Sequence, residues 1–399
     1  MDSSRSKKMV VVLSFMNVLT ALGFGRFLYS LTIPYIHETL KFSFTQIGQI
    51  GGFIIFGYLV FSYLGGIISH QFGEKPVALV TLVFLATSFL MFYQFKNFIL
   101  LCFAAFIMGA SAATLYVNIF QTIHKHFDKK EFGRKIGIIL SGAGCGIFLI
   151  SLFVYLLYGK ETSINVHLAW VVAAIITIIL IPLNAFLKLE DKELPKINKK
   201  PKKITQYAKI WKILITDSIF RNLTIAYTLF GFSYASFTNY LVAYTSEISN
   251  NKMSFVVWII FGFCSMLSSC FWGRWIDRSK KIQILFYNYA IIVIAITFSV
   301  LTKSINGLLI SSALFGLCFF GYLTVFGQII VGKTKELSSV FMGKITLLHA
   351  SGQILGIYMG GLIRDYTSSF RLVFLIALIV VLMSFFFYYR FFMNAKKVV

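Results

Sequence analysis

The chain is a succession of long apolar stretches separated by short polar connectors. Each stretch is close to the roughly 20 residues that a helix needs to cross the hydrocarbon core of a membrane. Six stretches precede a polar linker and six follow it, at about residues 10–36, 46–69, 76–94, 98–123, 134–158, 166–189, 218–246, 253–273, 282–302, 306–332, 338–362 and 371–393. Backbone groups in lipid must be satisfied internally, so each stretch is expected to form a helix. The pattern predicts an all-α integral membrane protein with 12 transmembrane helices.

Composition supports this class of protein. Hydrophobic residues make up 58% of the chain and charged residues only 13%. A soluble domain of that composition would expose large apolar patches to water. The five cysteines all lie inside apolar stretches, so we expect no disulfide framework, no metal site and no cofactor. The first stretch has no small-residue cleavage site after its basic start, so it is predicted to remain as the first span.

The net charge of +23 could suggest a nucleic-acid-binding protein, but its distribution indicates membrane orientation instead. If the N-terminus is cytoplasmic, the connectors on that side hold 27 lysines and arginines and those on the other side hold 7. Cytoplasmic connectors of membrane proteins carry such an excess of positive charge. We therefore expect a multi-pass protein of the bacterial inner (plasma) membrane with both termini cytoplasmic, and no nucleic-acid partner.

The linker between the two groups of spans is basic and contains Pro195 and Pro201. Its later part, residues 204–215, has apolar residues at helical spacing with lysines on the other side. This favours a short helix on the inner leaflet, although a plain tether is an equal alternative. The predicted organisation is an N-terminal six-helix bundle (1–189), a cytoplasmic linker (190–217) and a C-terminal six-helix bundle (218–399).

Short sequence elements of the first half recur in the second half at an offset near 207 positions. The matching pairs are Gly23 with Gly231, Gly57 with Gly262, Gly66 with Gly273, and Gly109 with Gly316. Their common order predicts two pseudo-symmetric bundles that arose by duplication. Repeats of this kind place the substrate site at their interface, near the middle of the membrane.

Two loops carry related motifs, one after the second span and one after the eighth. Together they resemble the signature G-x-x-x-D-R-x-G-R-K of the major facilitator superfamily. The second copy keeps Gly273, Asp277 and Arg278, whereas the first keeps Gly66, Gly73 and Lys75 but has His70 and Gln71 at the acidic and basic positions. The resemblance implies the superfamily fold and a role for these loops in closing a cytoplasmic gate.

A carboxylate in such a loop can face the N-terminus of a helix in the other bundle, where unpaired N–H groups favour negative charge. By this logic Asp277 would face the start of the fifth span, near Arg134. The alternative is a solvated loop acid that only assists topology. Because His70 replaces the acid of the first copy, the first copy indicates a gate less strongly than the second copy does.

The first span reads Gly23-Phe-Gly-Arg26-Phe-Leu-Tyr29, and the eleventh carries Gly352, Gly356 and Gly360. These stretches resemble a bacterial branch of the superfamily, the YbfB/YjiJ-like transporters. The resemblance implies transport without specifying a substrate.

Arg26 is the strongest candidate site residue because it lies well inside an apolar span, where a charge needs a partner or water. No acidic residue lies in the middle of any span, so no carboxylate is an evident partner. Arg26 could therefore bind an anionic substrate group in a hydrated cavity. The alternatives are a structural arginine on backbone carbonyls, or one that extends outward to Glu38.

Further candidates for the substrate pathway share a polar or hydroxyl-bearing side chain within a span: Tyr29, Asn118, Gln121, Tyr234, Asn239 and Gln328. The resemblance implies that helices one, four, seven and ten line the cavity. For each amide, a hydrogen bond between helices is an equally common role. His349 is the only histidine deep in a span and is a candidate for proton coupling, the alternative being a packed, hydrogen-bonded histidine.

These features favour secondary active transport of a small polar, anionic metabolite by alternating access, in a monomer coupled to H+ or Na+. Export of a drug, siderophore or metabolic by-product uses the same fold in the opposite direction. A membrane sensor or enzyme is a third class, but no H-E-x-x-H or G-x-S-x-G motif supports it, and we predict that the protein is not an enzyme. A Walker A loop is also absent, which excludes a primary pump built from this chain alone.

The predicted orientation can be tested by fusing an enzymatic topology reporter after Val399. We expect the reporter to be in the cytoplasm, because the basic connectors require both termini there. The same reporter inserted beside Lys252, in a predicted outer connector, serves as the control and should report the opposite side. A C-terminal reporter on the outer side would contradict the topology.

Overall fold

The computed structural model of the protein describes residues 3–127, 129–157, 164–186, 213–276, 281–334 and 338–397. These residues form helices and connectors, and no strand occurs among them. The helices are α1 (Ser3–Val18), a π-helical segment (Leu19–Phe24), α2 (Gly25–Leu40), α3 (Phe44–Phe72), α4 (Glu74–Gln94), α5 (Phe98–His126), α6 (Lys129–Leu157), α7 (Ile164–Ala185), α8 (Ser218–Ile248), α9 (Asn251–Ile276), α10 (Lys281–Leu301), α11 (Ile305–Thr334), α12 (Ser338–Thr367) and α13 (Phe370–Lys397).

Ten membrane spans are identified among the described residues by helix length and apolar composition. One of them is the continuous helix Lys7–Leu40, which contains α1, the π-helical segment and α2. The helices α8 and α12, with 31 and 30 residues, are long enough to cross a membrane but are not among the ten. The predicted all-helical membrane fold is thus confirmed, whereas the number of twelve spans stays a prediction.

The π-helical segment widens the first helix at Leu19–Phe24. Gly23 in this segment lies against the backbone of Gly146 on α6, where a Cβ atom would come within 2.8 Å of the Gly146 Cα. Small residues at a crossing allow the backbones of two helices to approach this closely. Single π-turns inside α-helices frequently occur at functional sites. Here the segment ends at Phe24, two residues before Arg26.

The helices pack within each half of the chain and across the two halves. In the first half α3 packs on α5 and α4 on α7; in the second, α8 packs on α12 and α13, and α11 packs on α9 and α10. The most extensive contacts between the halves are made by three pairs: α3 with α12, α6 with α9, and α2 with α8. These three pairs surround the centre of the molecule and position the candidate site.

One glycine contact occurs in both halves at corresponding positions. Gly109 on α5 lies directly against the carbonyl of Ile54 on α3. Gly316 on α11 lies against the carbonyl of Phe261 on α9, and both partners are 207 positions later in the chain. Each contact depends on the absence of a side chain, so it explains why glycine stands at both positions.

Several sequence predictions fall on residues outside those described. Asp277 and Arg278 of the second loop motif are among them, as is the predicted interfacial helix up to residue 212. Gly273 lies on α9. The predicted cytoplasmic gate and the predicted linker helix therefore stay predictions.

The Gly109 contact predicts a measurable cost for the smallest possible side chain. We expect Gly109→Ala to lower the free energy of unfolding by about 1–3 kcal/mol, because the neighbour is backbone and cannot move aside. Gly343→Ala is the matched control, since no atom lies within 4 Å of its Cβ position. Thermal unfolding in detergent should show a lower midpoint for Gly109→Ala only. An unchanged midpoint would contradict the close contact.

Candidate functional site

A small central cavity lies where α2, α3, α8 and α12 meet, and it is therefore shared by both halves of the chain. Its volume is ≈ 20 Å³, which is room for about one water molecule. The polar side chains in its wall come from Arg26, Tyr29, Ser30, Tyr234, Thr238, Asn239 and Gln353. A cavity with polar wall residues between two related halves of a membrane protein is the expected position of a ligand site.

Arg26 bridges the two halves inside this cavity. Its Nη2 donates hydrogen bonds to the hydroxyl of Tyr234 on α8 and, at 2.6 Å, to Oε1 of Gln353 on α12. The guanidinium carbon also lies 5.0 Å from the ring centroid of Tyr58 on α3, within the range of a cation–π interaction. The arginine is thus directed toward the second half, and its hydrogen bonds are not to Glu38.

The partners of Arg26 are all neutral. The ion pairs found in the described part of the chain involve other residues, and none of them includes Arg26. The Tyr234 hydroxyl itself donates to Gln353 Oε1 at 3.1 Å, so the two partners also bond to each other. A charge in an apolar bundle is stabilised much better by an anion than by neutral acceptors. A guanidinium whose acceptors are all neutral is suited to bind an anionic group.

Asn239 supplies a second polar group to the cavity. The residue is 5% exposed, and its Nδ2 atom is buried without a hydrogen-bond acceptor of normal geometry among the described residues. Buried amide groups are nearly always hydrogen-bonded, so this donor is an exception that calls for an explanation. Gly51 on α3 faces it, and a Cβ atom there would lie 3.4 Å from the Asn239 Oδ1.

Tyr29 lies in the cavity wall, but its hydroxyl is already used. It donates to the backbone carbonyl of Ile47 on α3 at 2.6 Å. The bond holds α2 against α3 within the first half. Tyr29 therefore contributes its ring to the cavity, and its hydroxyl positions the helix.

The structure does not bring Asn118 and Gln121 to the central cavity. Asn118 donates to the carbonyl of Glu74 at 2.7 Å, and Gln121 donates to the carbonyl of Gly66 at 3.3 Å. Both bonds join α5 to the region where α3 ends and α4 begins. Asn118 and Gln121 thus form hydrogen bonds between helices, which is the alternative role given for these amides in the sequence analysis.

The first loop motif is built around one residue with a left-handed backbone. Gly73 has φ +85°, a conformation that favours glycine, and it separates α3 from α4. The next residue, Glu74, pairs with Lys125 at 3.0 Å. Lys75 lines a second cavity of ≈ 30 Å³ at this end of the first half. The motif thus forms a tight turn that is tied to the end of α5.

His349 lies on α12 but is packed among aromatic rings rather than in the cavity wall. Its Nδ1 lies 2.7 Å from the carbonyl of Tyr227, and its ring stacks on that of Tyr227 at 3.9 Å. Gly231 allows this close approach of α8 and α12. A role of His349 in proton coupling stays a prediction. So does the role of Gln328, whose side chain is outside those described.

Sequence reasoning selected Arg26, Tyr234 and Asn239 but missed two members of the site. Gln353 is a polar residue inside the eleventh span, which was a usable signal. The resemblance, however, implies a cavity lined by helices one, four, seven and ten. Tyr58 had no signal, because a tyrosine in an apolar helix looks like any other packed aromatic residue.

The comparisons with known proteins identify the family. A family model described as "Uncharacterised MFS-type transporter YbfB" matches residues 18–387. The chain belongs to this family. The protein is therefore a YbfB-type transporter of the major facilitator superfamily and not an enzyme, as its sequence motifs indicated.

Individual relatives agree with this assignment. The YbfB-type chain is 24% identical over 375 residues to a protein named hexuronate transporter from Bacillus subtilis (strain 168), covering 87% of this chain and 86% of that one. Among solved structures it resembles two crystal structures of the nucleoside transporter NupG, one of them a point mutant. The mutant has a TM-score of 0.78 at 15% identity, covering 96% of this chain and 99% of that one. The other has a TM-score of 0.74 at 16% identity, with 98% and 99% covered. At these identities the structures show a common fold.

The neutral surroundings of Arg26 predict that its charge reduces stability when no ligand is bound. We expect Arg26→Met to raise the free energy of unfolding by about 1–2 kcal/mol, because the buried charge is removed while Tyr234 and Gln353 keep their mutual hydrogen bond. The measurement is the thermal unfolding midpoint of purified protein without added ligand. A fall of similar size would show that Arg26 is a structural link between the halves.

Proposed function

We propose that this YbfB-type transporter carries a small anionic metabolite across the bacterial inner membrane by secondary active transport. In this proposal two six-helix halves, residues 1–189 and 218–399, rock around the central cavity, and the basic linker 190–217 joins them on the cytoplasmic side. The repeated glycine contacts of Gly109 and Gly316 support a duplicated unit. Contacts across the halves surround the cavity, as alternating access requires.

The proposed number of spans is twelve. The two helices beyond the ten identified spans are α8 and α12, with 31 and 30 residues. Both are long enough to cross the membrane. They also supply Tyr234, Thr238, Asn239 and Gln353 to the cavity, and such polar residues lower the apolar character of a helix. Helices that line a substrate path are expected to be the least apolar of a bundle.

The proposed negative charge of the substrate rests on one observation: the hydrogen-bond acceptors of Arg26 are all neutral. A carboxylate or phosphate offers the guanidinium two parallel, charge-assisted hydrogen bonds, which are roughly twice as strong as neutral ones. Such a ligand would replace Gln353 Oε1 and the Tyr234 hydroxyl as the acceptor. The displaced pair keeps its own 3.1 Å hydrogen bond, so neither group is left without a partner.

A sugar acid is the anion that the remaining polar groups fit best. The relative from Bacillus subtilis is a hexuronate transporter, and a hexuronate carries one carboxylate and several hydroxyls. Asn239 has an amide donor without an acceptor of normal geometry among the described residues, and Thr238 and Ser30 add hydroxyls to the same wall. A neutral ligand such as a nucleoside would leave the charge of Arg26 without a counter-ion. The cavity must widen to admit either ligand, which domain rocking would provide.

Ligand-dependent thermal unfolding tests the proposal directly. The panel comprises a hexuronate, the matching neutral hexose, inorganic phosphate and a nucleoside. We expect the hexuronate at 100 times its Kd to stabilise wild type by about 2.7 kcal/mol, and to leave Arg26→Gln unchanged. Arg221→Gln is the matched control, because this arginine is exposed at the start of α8. Equal stabilisation of Arg26→Gln would exclude Arg26 as the anion-binding residue.

Gln353→Glu gives a second, independent arm of this experiment. The new carboxylate would lie 2.6 Å from the guanidinium and act as an internal counter-ion. We expect a raised melting midpoint without ligand and no further rise with hexuronate. If Gln353→Glu still responded to the anion as wild type does, Gln353 would not occupy the ligand position.

A further inference from the structure

The two halves of the chain are also joined far from the central cavity, where α3 begins and α12 ends. The contact involves Phe44 and Thr45 from the first half and Arg364 and Asp365 from the second, and we name it the outer closure. The distribution of lysine and arginine puts this end on the extracytoplasmic side. It thus lies between the cavity and the outside.

The carboxylate of Asp365 binds the N-terminus of α3. Its Oδ1 accepts a hydrogen bond from the Phe44 N–H at 2.9 Å, and its Oδ2 accepts from the N–H and hydroxyl of Thr45 at 2.7 Å and 2.6 Å. The first N–H groups of a helix lack partners within the helix, and its dipole favours negative charge there. Burial raises the pKa of Asp365, but these hydrogen bonds outweigh it and hold the pKa below its ordinary value. The carboxylate is therefore ionised at neutral pH.

The bond to Asp365 is separable from the integrity of α3. Ser43 and Gln46 form a capping box, in which each side chain bonds the backbone N–H of the other residue. This box holds the helix start with groups from its own half. Of the backbone groups at the helix start, the N–H groups of Phe44 and Thr45 bond Asp365, and water can replace the carboxylate there. The helix can therefore release Asp365 without unwinding.

Glycines bring α3 and α12 close together beneath this bond. A Cβ atom on Gly48 would come within 2.8 Å of the Ile357 carbonyl, and Gly361 lies directly against the carbonyl of Phe44. Backbone contacts of this kind leave no room for a ligand between α3 and α12. The α3–α12 side of the cavity is thus closed at this end where Asp365 holds the two helices together.

Arg364 reinforces the closure from the same helix turn. Its Nη2 pairs with Glu247 at 3.4 Å within the second half. Its guanidinium carbon lies 5.2 Å from the Phe44 ring centroid and 4.9 Å from that of Phe370. These two rings meet edge to face at 4.9 Å. The arginine covers an aromatic contact that spans both halves, whereas its ion pair does not cross between them.

We propose that Asp365 is the latch of the outer closure: it binds the N-terminus of α3 while the cavity is closed to the outside, and it releases that N-terminus when the cavity opens there. This inference rests on the proposed alternating access. The carboxylate on α12 forms three hydrogen bonds across the halves, and these bonds must break when the outer end opens. Loss of the carboxylate should therefore shift the protein toward the outward-open form.

The test is the labelling rate of a single cysteine in the cavity wall. Ser30→Cys is placed in a background in which the five native cysteines are replaced, and a membrane-impermeant maleimide is added to right-side-out vesicles. We expect Asp365→Asn to raise the labelling rate by about tenfold, because the amide is uncharged and keeps only one of the two acceptor oxygens, which weakens the closed form only. Glu247→Gln is the matched control and should change the rate by less than about twofold, since its ion pair stays within one half.

Thr45→Val provides a second variant that removes one of the three bonds without touching the carboxylate. Thr45→Val should raise the labelling rate by a smaller factor than Asp365→Asn. If Asp365→Asn does not fold, Thr45→Val still tests the latch. Equal labelling of the parent, Thr45→Val and Asp365→Asn would overturn the latch. The assay needs no transported ligand, so this failure is separate from failure of the anion proposal, which shows only in the hexuronate response.

Discussion

The candidate site is built around one positive charge that neutral partners hold inside an apolar bundle. Arg26 follows a π-helical segment and bridges the halves through Tyr234 and Gln353, with the Tyr58 ring beside it. A charge at this depth is costly unless an anion or water accompanies it. We propose that this imbalance favours an anionic ligand over a neutral one. The membership of the chain in the YbfB-type transporters, and its likeness to a hexuronate transporter, agree with that chemistry.

Much of the fold could be predicted from the sequence, because lipid imposes helices wherever apolar stretches are long enough. The sequence also identified Arg26, since a lone arginine in a span is conspicuous. Its partners were harder to predict. Gln353 is 327 positions away in the chain, and only the packing of α12 against the first half brings them together. Asn118 shows the opposite error: it had the expected residue type and helix, but it joins α5 to the α3–α4 turn.

The same physical principle was predicted at one end of the molecule and is observed at the other. The loop motif after α9 suggested a carboxylate at the N-terminus of a helix in the opposite half, on the cytoplasmic side. The described residues show that arrangement at the opposite end of the bundle, where Asp365 binds the start of α3. The motif was readable because a known signature marks it, whereas Asp365 stands in no signature. Only the structure shows that two N–H groups of α3 are left for it by the local capping box.

The central claim is that Arg26 binds an anionic substrate group, and counterflow in proteoliposomes tests it most directly. Vesicles loaded with unlabelled hexuronate are diluted into labelled hexuronate, so that uptake reports exchange without any need for a coupling ion. The account predicts rapid exchange by wild type, none by Arg26→Gln, and no exchange of a labelled nucleoside. Exchange by Arg26→Gln at the wild-type rate, or exchange of the nucleoside and not the hexuronate, would contradict it.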